Sequence, residues 1–229
     1  MPAAIQFSSP QVVAPICSAA DLDFLSSTPA THHCDLIELR LDSLIDQLDQ
    51  IDTLLSDHHP NLPILATARH PDEGGDGALD ADVRQQLYAR FLPQIDALDI
   101  ELRSVDEMSK TLEAARSAGK KIILSFHDFK STPSIATIRS KIDQAIEANA
   151  DVCKIAVHLD SLSRLCELAQ VCENESRIRI SLMGMGPLGK ISRLLFAKAG
   201  SVLNYGYLAT SNAPGQWPAK QLKNLIGEI

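Results

Sequence analysis

The sequence predicts an α/β protein of the (β/α)8 or TIM barrel class, in a single domain that spans residues 1–229. Eight short runs rich in β-branched residues recur along the chain, and helix-like stretches separate them. No linker, low-complexity tract or internal repeat interrupts this alternation. A length of 229 residues with 45% hydrophobic residues is enough to bury one large core.

The predicted strands are short, apolar and rich in valine, isoleucine and leucine, as is typical of parallel strands covered on both faces. They cover residues 11–16, 35–40, 63–69, 97–102, 121–127, 151–158, 177–183 and 202–207. An open, doubly wound sheet is the alternative arrangement. It would normally carry a glycine-rich phosphate turn after the first strand, and Pro15-Ile16-Cys17-Ser18 contains no glycine.

The stretches between the strands are amphipathic and predict helices. They cover residues 44–56, 81–92, 105–118, 134–148, 161–172, 190–199 and 219–229. Ser104 and Ser134 are typical N-caps and predict helix starts at those positions, while Gly119 is typical of the residue that follows a helix.

Composition excludes several classes of partner. A net charge of −8 and a pI of about 5.3 argue against nucleic acid or an anionic membrane as the partner. No apolar run reaches the ~18 residues of a membrane-spanning helix, and the N-terminus lacks the pattern of a secretory signal. Five cysteines without a C-x-x-C pair indicate reduced thiols in a cytoplasmic protein. The paired histidines at 32–33 and 58–59 lack the spacing of a zinc site, so no metal is expected.

Lys154 interrupts an apolar run, residues 152–157, that otherwise reads as a buried strand. A buried ammonium must be paired or must lose its proton easily, and a neutral lysine amine in a closed pocket suits imine chemistry on a ketone or aldehyde. The alternative is a lysine at a strand end that extends its amine to solvent.

Charged residues recur at the ends of five consecutive predicted strands. The strand ends are Glu38-Leu39-Arg40, Thr67-Ala68-Arg69, Asp99-Ile100-Glu101, Ser125-Phe126-His127 and the run that contains Lys154. Side chains two apart on a strand share a face, and a barrel covers both faces. Because isolated buried charges are costly, charges of both signs on five strands predict one site around a polar ligand.

Six groups of residues in the same order resemble a known family. They are Glu38-Leu39-Arg40-Leu41-Asp42; Thr67-Ala68-Arg69 with Glu73-Gly74-Gly75; Ser125-Phe126-His127-Asp128-Phe129 with Thr132-Pro133; the segment 151–156; Met183-Gly184 with Gly189, Ser192-Arg193 and Gly200-Ser201; and Ala213-Pro214-Gly215-Gln216. Together they resemble the type I 3-dehydroquinate dehydratases, enzymes of the shikimate pathway for aromatic amino acid biosynthesis.

The resemblance implies a barrel that converts 3-dehydroquinate to 3-dehydroshikimate through a lysine imine, without a cofactor, in a homodimer. It places Lys154 on the imine-forming lysine, His127 on the general acid/base and Glu73 on the acid that orients this histidine. Arg193 falls on the arginine that binds the substrate carboxylate. Glu38, Arg40, Arg69 and Gln216 fall on positions that contact the substrate's hydroxyls and carboxylate.

These residue types suit the chemistry. A protonated imine acidifies the carbon between the carbonyl and the leaving hydroxyl, because the electrons of the departing proton flow onto a cationic nitrogen. Like-charge repulsion from Arg69 or from charged His127 is expected to favour the neutral amine of Lys154. Histidine titrates near neutrality and can both take the proton and return it.

Two segments depart from a simple match. The family commonly has serine where this chain has Asn212, so either Asn212 or Ser211 is the expected substrate contact. Residues 183–187 contain two glycines and form either a turn that lines the substrate or a flexible loop.

Residues 209–216 are expected to lie over the mouth of the pocket and to close on substrate, with Trp217 at the hinge.

Two other functions share some of these features. A class I aldolase on a barrel would also use Lys154, but would favour phosphate-bearing substrates bound by backbone amides such as those around Gly184. A barrel that has lost catalysis would act as a binding partner. The presence of Lys154, His127 and Glu73 favours the dehydratase.

Overall fold

The computed structural model describes residues 5, 7–57, 61–211 and 215–229. Within these residues eight parallel strands alternate with eight helices, and the sequence predicts the eight strands and seven of the helices. The strands are β1 (Gln11–Ile16), β2 (Leu36–Arg40), β3 (Ile64–Thr67), β4 (Ala97–Glu101), β5 (Lys121–Asp128), β6 (Val152–His158), β7 (Arg179–Met185) and β8 (Leu203–Tyr207), and a two-residue strand, β9 (Trp217–Pro218), pairs with β8. The helices are α1 (Ala19–Ser27), α2 (Leu48–Asp57), α3 (Ala81–Phe91), α4 (Ser109–Ser117), α5 (Ile135–Glu147), α6 (Leu162–Asn174), α7 (Gly189–Lys198) and α8 (Ala219–Gly227).

The sheet runs in the order β7-β6-β5-β4-β3-β2-β1-β8-β9 and curls until its ends meet. At the junction of β7 and β8, the Val202 N–H donates to the Ile180 carbonyl at 2.9 Å. The Ser181 hydroxyl donates to the Leu203 carbonyl at 2.8 Å, which adds a second bridge. These contacts close the barrel, so the predicted fold class is confirmed.

The inward-facing side chains form an apolar floor. One residue from each of seven strands contributes to it: Val13, Leu36, Leu65, Ala97, Ile123, Val152 and Leu203, with Ile5 and Phe7 packed beneath. The next inward position lies two residues further along each strand, because alternate side chains share a face. At that level β2, β3, β4, β5 and β6 carry Glu38, Thr67, Asp99, Ser125 and Lys154, all buried. The floor therefore supports a polar layer at the carboxyl ends of the strands.

Two of the predicted helix boundaries are confirmed and one is wrong. The Ser134 hydroxyl accepts from the Thr137 N–H at the start of α5, and Gly119 follows α4 with φ at +67°. Ser104, however, does not cap a long helix. Its hydroxyl accepts from the Arg84 guanidinium, a short 3-10 turn ends at Ser104, and α4 begins only at Ser109.

The first helix, α1, is not among the segments that the sequence pattern indicates. Only Asp21 and Leu22 of α1 are buried, so its apolar face is too small to show helical spacing. Capping supplies the missing signal, since the Ser18 hydroxyl donates to Asp21 and accepts the Asp21 N–H. No helix within the described ranges is long and apolar enough to span a membrane.

Candidate active site

A cavity of about 240 Å³ opens at the carboxyl ends of the strands, above the apolar floor. Eight of the nine residues that the sequence analysis selects line it: Glu38, Arg40, Arg69, Glu73, His127, Lys154, Arg193 and Gln216. The ninth, Asn212, lies outside the described residues. The polar strand ends therefore converge on one cavity, as the pattern of buried charges predicts.

Lys154 is buried, with 3% of its surface exposed, and its amine does not extend to solvent. The amine lies 2.8 Å from Asp99 Oδ2 and 3.6 Å from Glu38 Oε1, and 4.2 Å from the centre of the Tyr205 ring. Its nearest charged neighbours are thus two carboxylates. This differs from the sequence argument, in which Arg69 or charged His127 promotes the neutral amine.

Arg69 connects the acidic residues of β4. Its guanidinium donates to both Asp99 oxygens at 3.0 Å, and to Glu101 at 2.7 Å. The Ser125 hydroxyl, 2.6 Å from the guanidinium, donates to Asp99 at 2.6 Å. Although burial opposes it, the positive charges of Arg69 and Lys154 hold the pKa of Asp99 well below its usual range. Asp99 is therefore ionised whenever the site works.

Glu38 completes the surroundings of the lysine amine. Its carboxylate accepts from the Thr67 hydroxyl at 2.7 Å and contacts the Tyr205 hydroxyl at 3.5 Å. Both contacts are to the same oxygen, Oε1, that faces Lys154. The Glu38 carboxylate is consequently held in place by neutral donors and remains available to an ammonium or to a substrate hydroxyl.

His127, at the end of β5, and Glu73, in the loop after β3, form a hydrogen-bonded pair. Glu73 Oε2 lies 2.9 Å from His127 Nδ1 and accepts the His127 N–H at 2.9 Å. Burial, with the charges of Arg69 and Lys154, holds the pKa of His127 well below its usual range. Burial and the negative charge of Glu101 raise the pKa of Glu73 to about 7. At neutral pH the imidazole is uncharged, and an ionised Glu73 directs its proton to Nδ1.

Arg193, on α7, is buried among backbone carbonyls. Nη1 donates to Gly189 at 2.7 Å, to Gly215 at 2.9 Å and to Gly184 at 3.1 Å, and Nε donates to Tyr205 at 2.9 Å. Burial lowers the pKa of this guanidinium to about 10, so it stays charged at neutral pH. None of the carboxylates in the described part of the chain pairs with it. A buried cation of this kind is complementary to an anionic ligand in the cavity.

Arg40 is held by its own strand end. It makes two hydrogen bonds to Asp42, at 2.7 and 3.0 Å, and a third to the Gly74 carbonyl at 3.2 Å. Asp42 also accepts from the Arg69 and Asp76 N–H groups, and so ties the loop that carries Glu73 to β2 and β3. Arg40 is fixed at the rim with part of its guanidinium in the cavity.

The segment that follows β8 reaches the cavity through Gln216, whose side chain contacts the Ser211 hydroxyl at 3.5 Å. The adjoining Trp217 lies in β9, and its indole N–H donates to the Lys190 carbonyl at 2.9 Å. Residues 212–214 are not described, so the choice between Asn212 and Ser211 and the predicted closure stay open predictions.

Asp99 and Tyr205 are the contacts of Lys154 that the sequence analysis did not select. Asp99 stood among the charged strand ends, and its spacing from Ala97 and Glu101 could have shown that all three face the barrel interior. Which cation Asp99 meets depends on the barrel's closure, which no spacing within β4 reveals. Tyr205 gives no signal, because an aromatic residue in a predicted strand is ordinary core.

The glycine-rich segment after Leu182 continues β7 as far as Met185, and Met183 and Met185 line the cavity. The Gly184 N–H donates to the Ser192 hydroxyl at 3.0 Å, and its carbonyl accepts from Arg193. The backbone around Gly184 is therefore occupied by internal partners. This removes one of the amides that a phosphate site would need.

No group of three or more His, Cys, Asp or Glu side chains within the described ranges is arranged to hold a metal ion.

Comparison with known proteins gives one consistent family. A family model described as type I 3-dehydroquinase matches residues 15–228. The 3-dehydroquinate dehydratase of Enterococcus faecalis is 34% identical over 232 residues, which cover 95% of this chain and 92% of that protein. The crystal structure of 3-dehydroquinate dehydratase from Geobacillus kaustophilus superposes with a TM-score of 0.85 at 25% identity and covers 96% of this chain and 91% of its own. The type I enzyme of Clostridium difficile gives the same TM-score at 26% identity, with coverages of 96% and 92%.

Proposed function

Since the chain belongs to the type I 3-dehydroquinase family, we propose that it removes water from 3-dehydroquinate through an imine between the substrate ketone and Lys154. Membership of this family makes the chain a hydro-lyase of the shikimate pathway. The observation that carries the imine is a buried lysine amine inside the cavity, 2.8 Å from Asp99 and beside the neutral His127.

The carboxylates around Lys154 suit the imine better than the free amine. In the first step Lys154 releases a proton, and its neutral amine attacks the ketone carbon. Return of that proton to the carbinolamine hydroxyl lets water leave, and a protonated imine remains. The positive charge then returns to the nitrogen, which is where Asp99 and Glu38 already lie. A site preorganised for this cation stabilises the state from which the neighbouring carbon loses its proton.

His127 is the base and then the acid of the elimination. Its Nε2 takes the proton from the carbon between the imine and the carbon that bears the leaving hydroxyl, and the resulting imidazolium protonates that hydroxyl as it departs. Positive charges from Arg69 and Lys154 keep the resting imidazole neutral, and Glu73 at Nδ1 stabilises the imidazolium that forms. One histidine thus moves one proton from carbon to oxygen.

Arg193 binds the substrate carboxylate. Its contacts to three glycine carbonyls and to Tyr205 leave Nη2 with no protein partner in the described part of the chain. The guanidinium is buried and charged and pairs with no anion among the described residues, so the carboxylate supplies the missing charge. Glu38, Arg40, Arg69 and Gln216, with Asn212 or Ser211, are proposed to contact the remaining polar groups of the substrate.

The aldolase alternative loses one of the amides that its phosphate site would need. The Gly184 amide is already bonded to Ser192, and the unpaired cation Arg193 is a fork that suits a carboxylate. An inactive binding partner would not need a neutral histidine beside a buried lysine in one cavity. Neither alternative is supported by a feature that the dehydratase does not also explain.

The domain extent, the oligomeric state and the cellular location are also proposals. One barrel domain over residues 1–229, a homodimer and a cytoplasmic location follow from the sequence pattern or from the family resemblance. The five free cysteines are consistent with a reducing compartment. Light scattering coupled to size-exclusion chromatography measures the dimer directly, and a monomer at micromolar concentration would contradict it.

The test is a steady-state assay that follows the ultraviolet absorbance of the conjugated enone product. Lys154→Met should lower kcat by on the order of 10⁴-fold or more, because it removes the nucleophile and leaves an uncharged side chain of similar length. Lys110→Met, on the exposed face of α4, is the matched control and should keep wild-type turnover. Near-normal activity of the Lys154 variant would overturn the proposed mechanism.

A further inference from the structure

Arg84 is a fully buried arginine that lies outside the cavity. It occupies the second turn of α3 and has no exposed surface. Its Nε donates to the Ala68 carbonyl at 2.9 Å, and Nη2 pairs with Glu101 Oε2. Its Nη1 donates to the Ser104 hydroxyl at 3.2 Å and to Glu107 at 3.1 Å. The substrate-binding and catalytic assignments leave this buried cation without a role.

Tyr88 lies one turn further along the same helix face and binds the other side of the same peptide. Its hydroxyl accepts from the Ala68 N–H at 2.9 Å and donates to the Asp99 carbonyl at 2.5 Å. Arg84 and Tyr88 therefore hold both polar groups of Ala68, the residue before Arg69. They also hold β4 at Asp99 and Glu101, which fixes β3 and β4 relative to each other.

Glu101 links this clamp to the cavity. Its Oε1 accepts from Arg69 at 2.7 Å and from the His70 N–H at 3.1 Å, while Oε2 faces Arg84. Arg69 in turn holds Asp99, which contacts the Lys154 amine. Five buried charges thus alternate in sign from α3 to the centre of the barrel.

We propose that Arg84 is a positioning residue for the dehydration. Because its charge neutralises Glu101, the Arg69 guanidinium stays paired with Asp99. The strength of that pair in turn determines how strongly Asp99 holds the Lys154 amine. The division of Arg69 between two carboxylates is the physical basis. Asp99 and Glu101 compete for the guanidinium of Arg69. Arg84 is a second cation on Glu101 and so weakens the attraction of Glu101 for Arg69. Without Arg84, Arg69 is drawn to Glu101, and Asp99 keeps more of its negative charge for the ammonium.

Removing Arg84 should have the same effect, a loss of activity, through each group that faces Asp99 and Glu101. Lys154 is surrounded by Asp99, Glu38 and Tyr205, with Arg69 and His127 next to them. A less neutralised Asp99 holds the Lys154 amine more strongly, which opposes its attack on the substrate ketone.

Glu101 is faced by Arg69, by Arg84 and, across the loop, by Glu73. Without Arg84 its charge is less fully compensated and opposes ionisation of Glu73. The onset of activity therefore moves to higher pH.

The test compares pH profiles of kcat and KM for Arg84→Met with those of the wild type. We expect the low-pH limb of kcat to move up by about one pH unit, a tenfold loss of activity on that limb, because a unit shift changes the fraction of the active form tenfold. KM should change by less than about twofold, because Arg84 does not line the cavity. The double variant Arg84→Met/Glu101→Gln removes the charge that Arg84 balances, and its limb should return towards that of the wild type.

Arg90→Gln is the matched control, since Arg90 lies on the exposed side of the same helix and pairs with Asp49 and Asp52. Its profile should stay unchanged. Where circular dichroism shows that Arg84→Met is unfolded, Arg84→Gln decides by the same readout, because glutamine removes the charge but keeps an amide that can donate to a carbonyl. A lowered melting temperature with an unmoved pH limb, or a double variant no closer to the wild type, would overturn the positioning role.

The role of Lys154 in this inference rests on the proposed imine. Borohydride trapping of the wild type separates the two failures. If the wild type dehydrates the substrate but forms no adduct, the imine fails. If the adduct forms and the pH limb of Arg84→Met does not move, only the role of Arg84 fails.

Discussion

At the scale of single residues, the cations of the barrel interior are stabilised by anions placed directly beside them. Lys154 and Arg69 both contact Asp99, and Arg40 contacts Asp42. A buried ion without a partner costs several kcal/mol, on the order of 3–5 kcal/mol when one partner of a pair is removed. Arg193 differs from the others in the described part of the chain, because its partners are carbonyl groups. The charge of Arg193 is therefore not neutralised by a described carboxylate, which is why we propose that an anionic ligand binds there.

Replacing His127 by glutamine should separate imine formation from elimination. The variant keeps a hydrogen-bonding side chain but loses the base, so kcat should fall by about 10²- to 10⁴-fold, the usual contribution of general acid–base catalysis. Borohydride should still trap an adduct, because Lys154 and its carboxylates are intact. His33→Gln, remote from the cavity and packed against Phe24, is the control. Unchanged turnover of the His127 variant would remove it from the mechanism.

Glu73 should control the low-pH side of the activity profile. Its pKa is raised to about 7, so the carboxylate that orients His127 becomes protonated as pH falls through that value, and kcat should fall with it. In Glu73→Gln the amide oxygen can still accept the His127 N–H but does not titrate. We expect a lower kcat that no longer varies between about pH 6 and 8. A variant that keeps the wild-type limb would assign this titration to another group.

The charged strand ends could be identified as one site from the sequence. Residues two apart on a strand share a face, and both faces of a barrel strand are covered, so these charges are expected to be buried together. Which charges touch could not be predicted in this way. Asp99 meets Lys154 across 55 positions of sequence, and the contact exists only once β4, β5 and β6 are in register. Arg84 is harder still, since an arginine followed by Gln85 and Gln86 in a predicted helix reads as an exposed side chain.

At the scale of elements, the loop after β3 places Glu73 by returning close to its own strand. The Gly75 N–H donates to the His70 carbonyl at 3.1 Å, and a Cβ on Gly75 would lie 2.1 Å from the Arg69 carbonyl oxygen. The neighbouring Gly74 has φ at +84° beneath the ring of Phe129. The two glycines therefore allow the carboxylate to reach His127 on β5.

Gly75→Ala should move this loop and weaken the enzyme. A contact of 2.1 Å to backbone cannot be relieved by a side-chain rotation, so the loop must shift and take Glu73 with it. We expect a stability loss of about 1–3 kcal/mol by urea unfolding and a decrease in kcat of about tenfold or more. Gly227→Ala is the control, because no atom lies within 4 Å of the added Cβ. A Gly75 variant with wild-type kcat would show that the loop position is not critical.

The strands and most helices could be predicted because each carries its own periodic pattern, and Ser134 and Gly119 act as local end signals. The helix α1 escaped because it buries only two residues, and the helix start predicted at Ser104 failed because a tertiary partner, Arg84, takes its hydroxyl. Local chemistry determines an element's end only where no tertiary contact competes for the same group.

At the scale of the whole molecule, an apolar floor and a polar upper layer share one barrel. The floor residues bury apolar surface that stabilises the fold, while the layer above them holds buried charges that serve the chemistry. Because those charges are paired, their stabilising effect depends on their ionisation. The acid stability of the barrel is therefore linked to its active site.

Stability should fall mainly below about pH 4. Asp99 and Asp42 have depressed pKa values in the folded state, so they stabilise the fold above the unfolded value near ~3.9 and lose that effect as pH falls further. Between about pH 7 and 4.5, Glu73 and His127 act in opposite directions. The raised pKa of Glu73 adds stability as pH falls, and the depressed pKa of His127 removes it.

Urea midpoints measured at pH 7, 5 and 3 check this account of acid stability. A shallow change between pH 7 and 5 and a steep loss at pH 3 are expected. Asp99→Asn should make the steep part smaller. An equally steep loss in that variant would place the acid sensitivity elsewhere.

The most direct measurement of the central claim is borohydride reduction of the protein in the presence of 3-dehydroquinate, followed by intact mass and peptide mapping. The account predicts a substrate-derived mass gain on the peptide that contains Lys154, and no gain in Lys154→Met. A sample that dehydrates the substrate yet shows no adduct, or an adduct on another lysine, would contradict it.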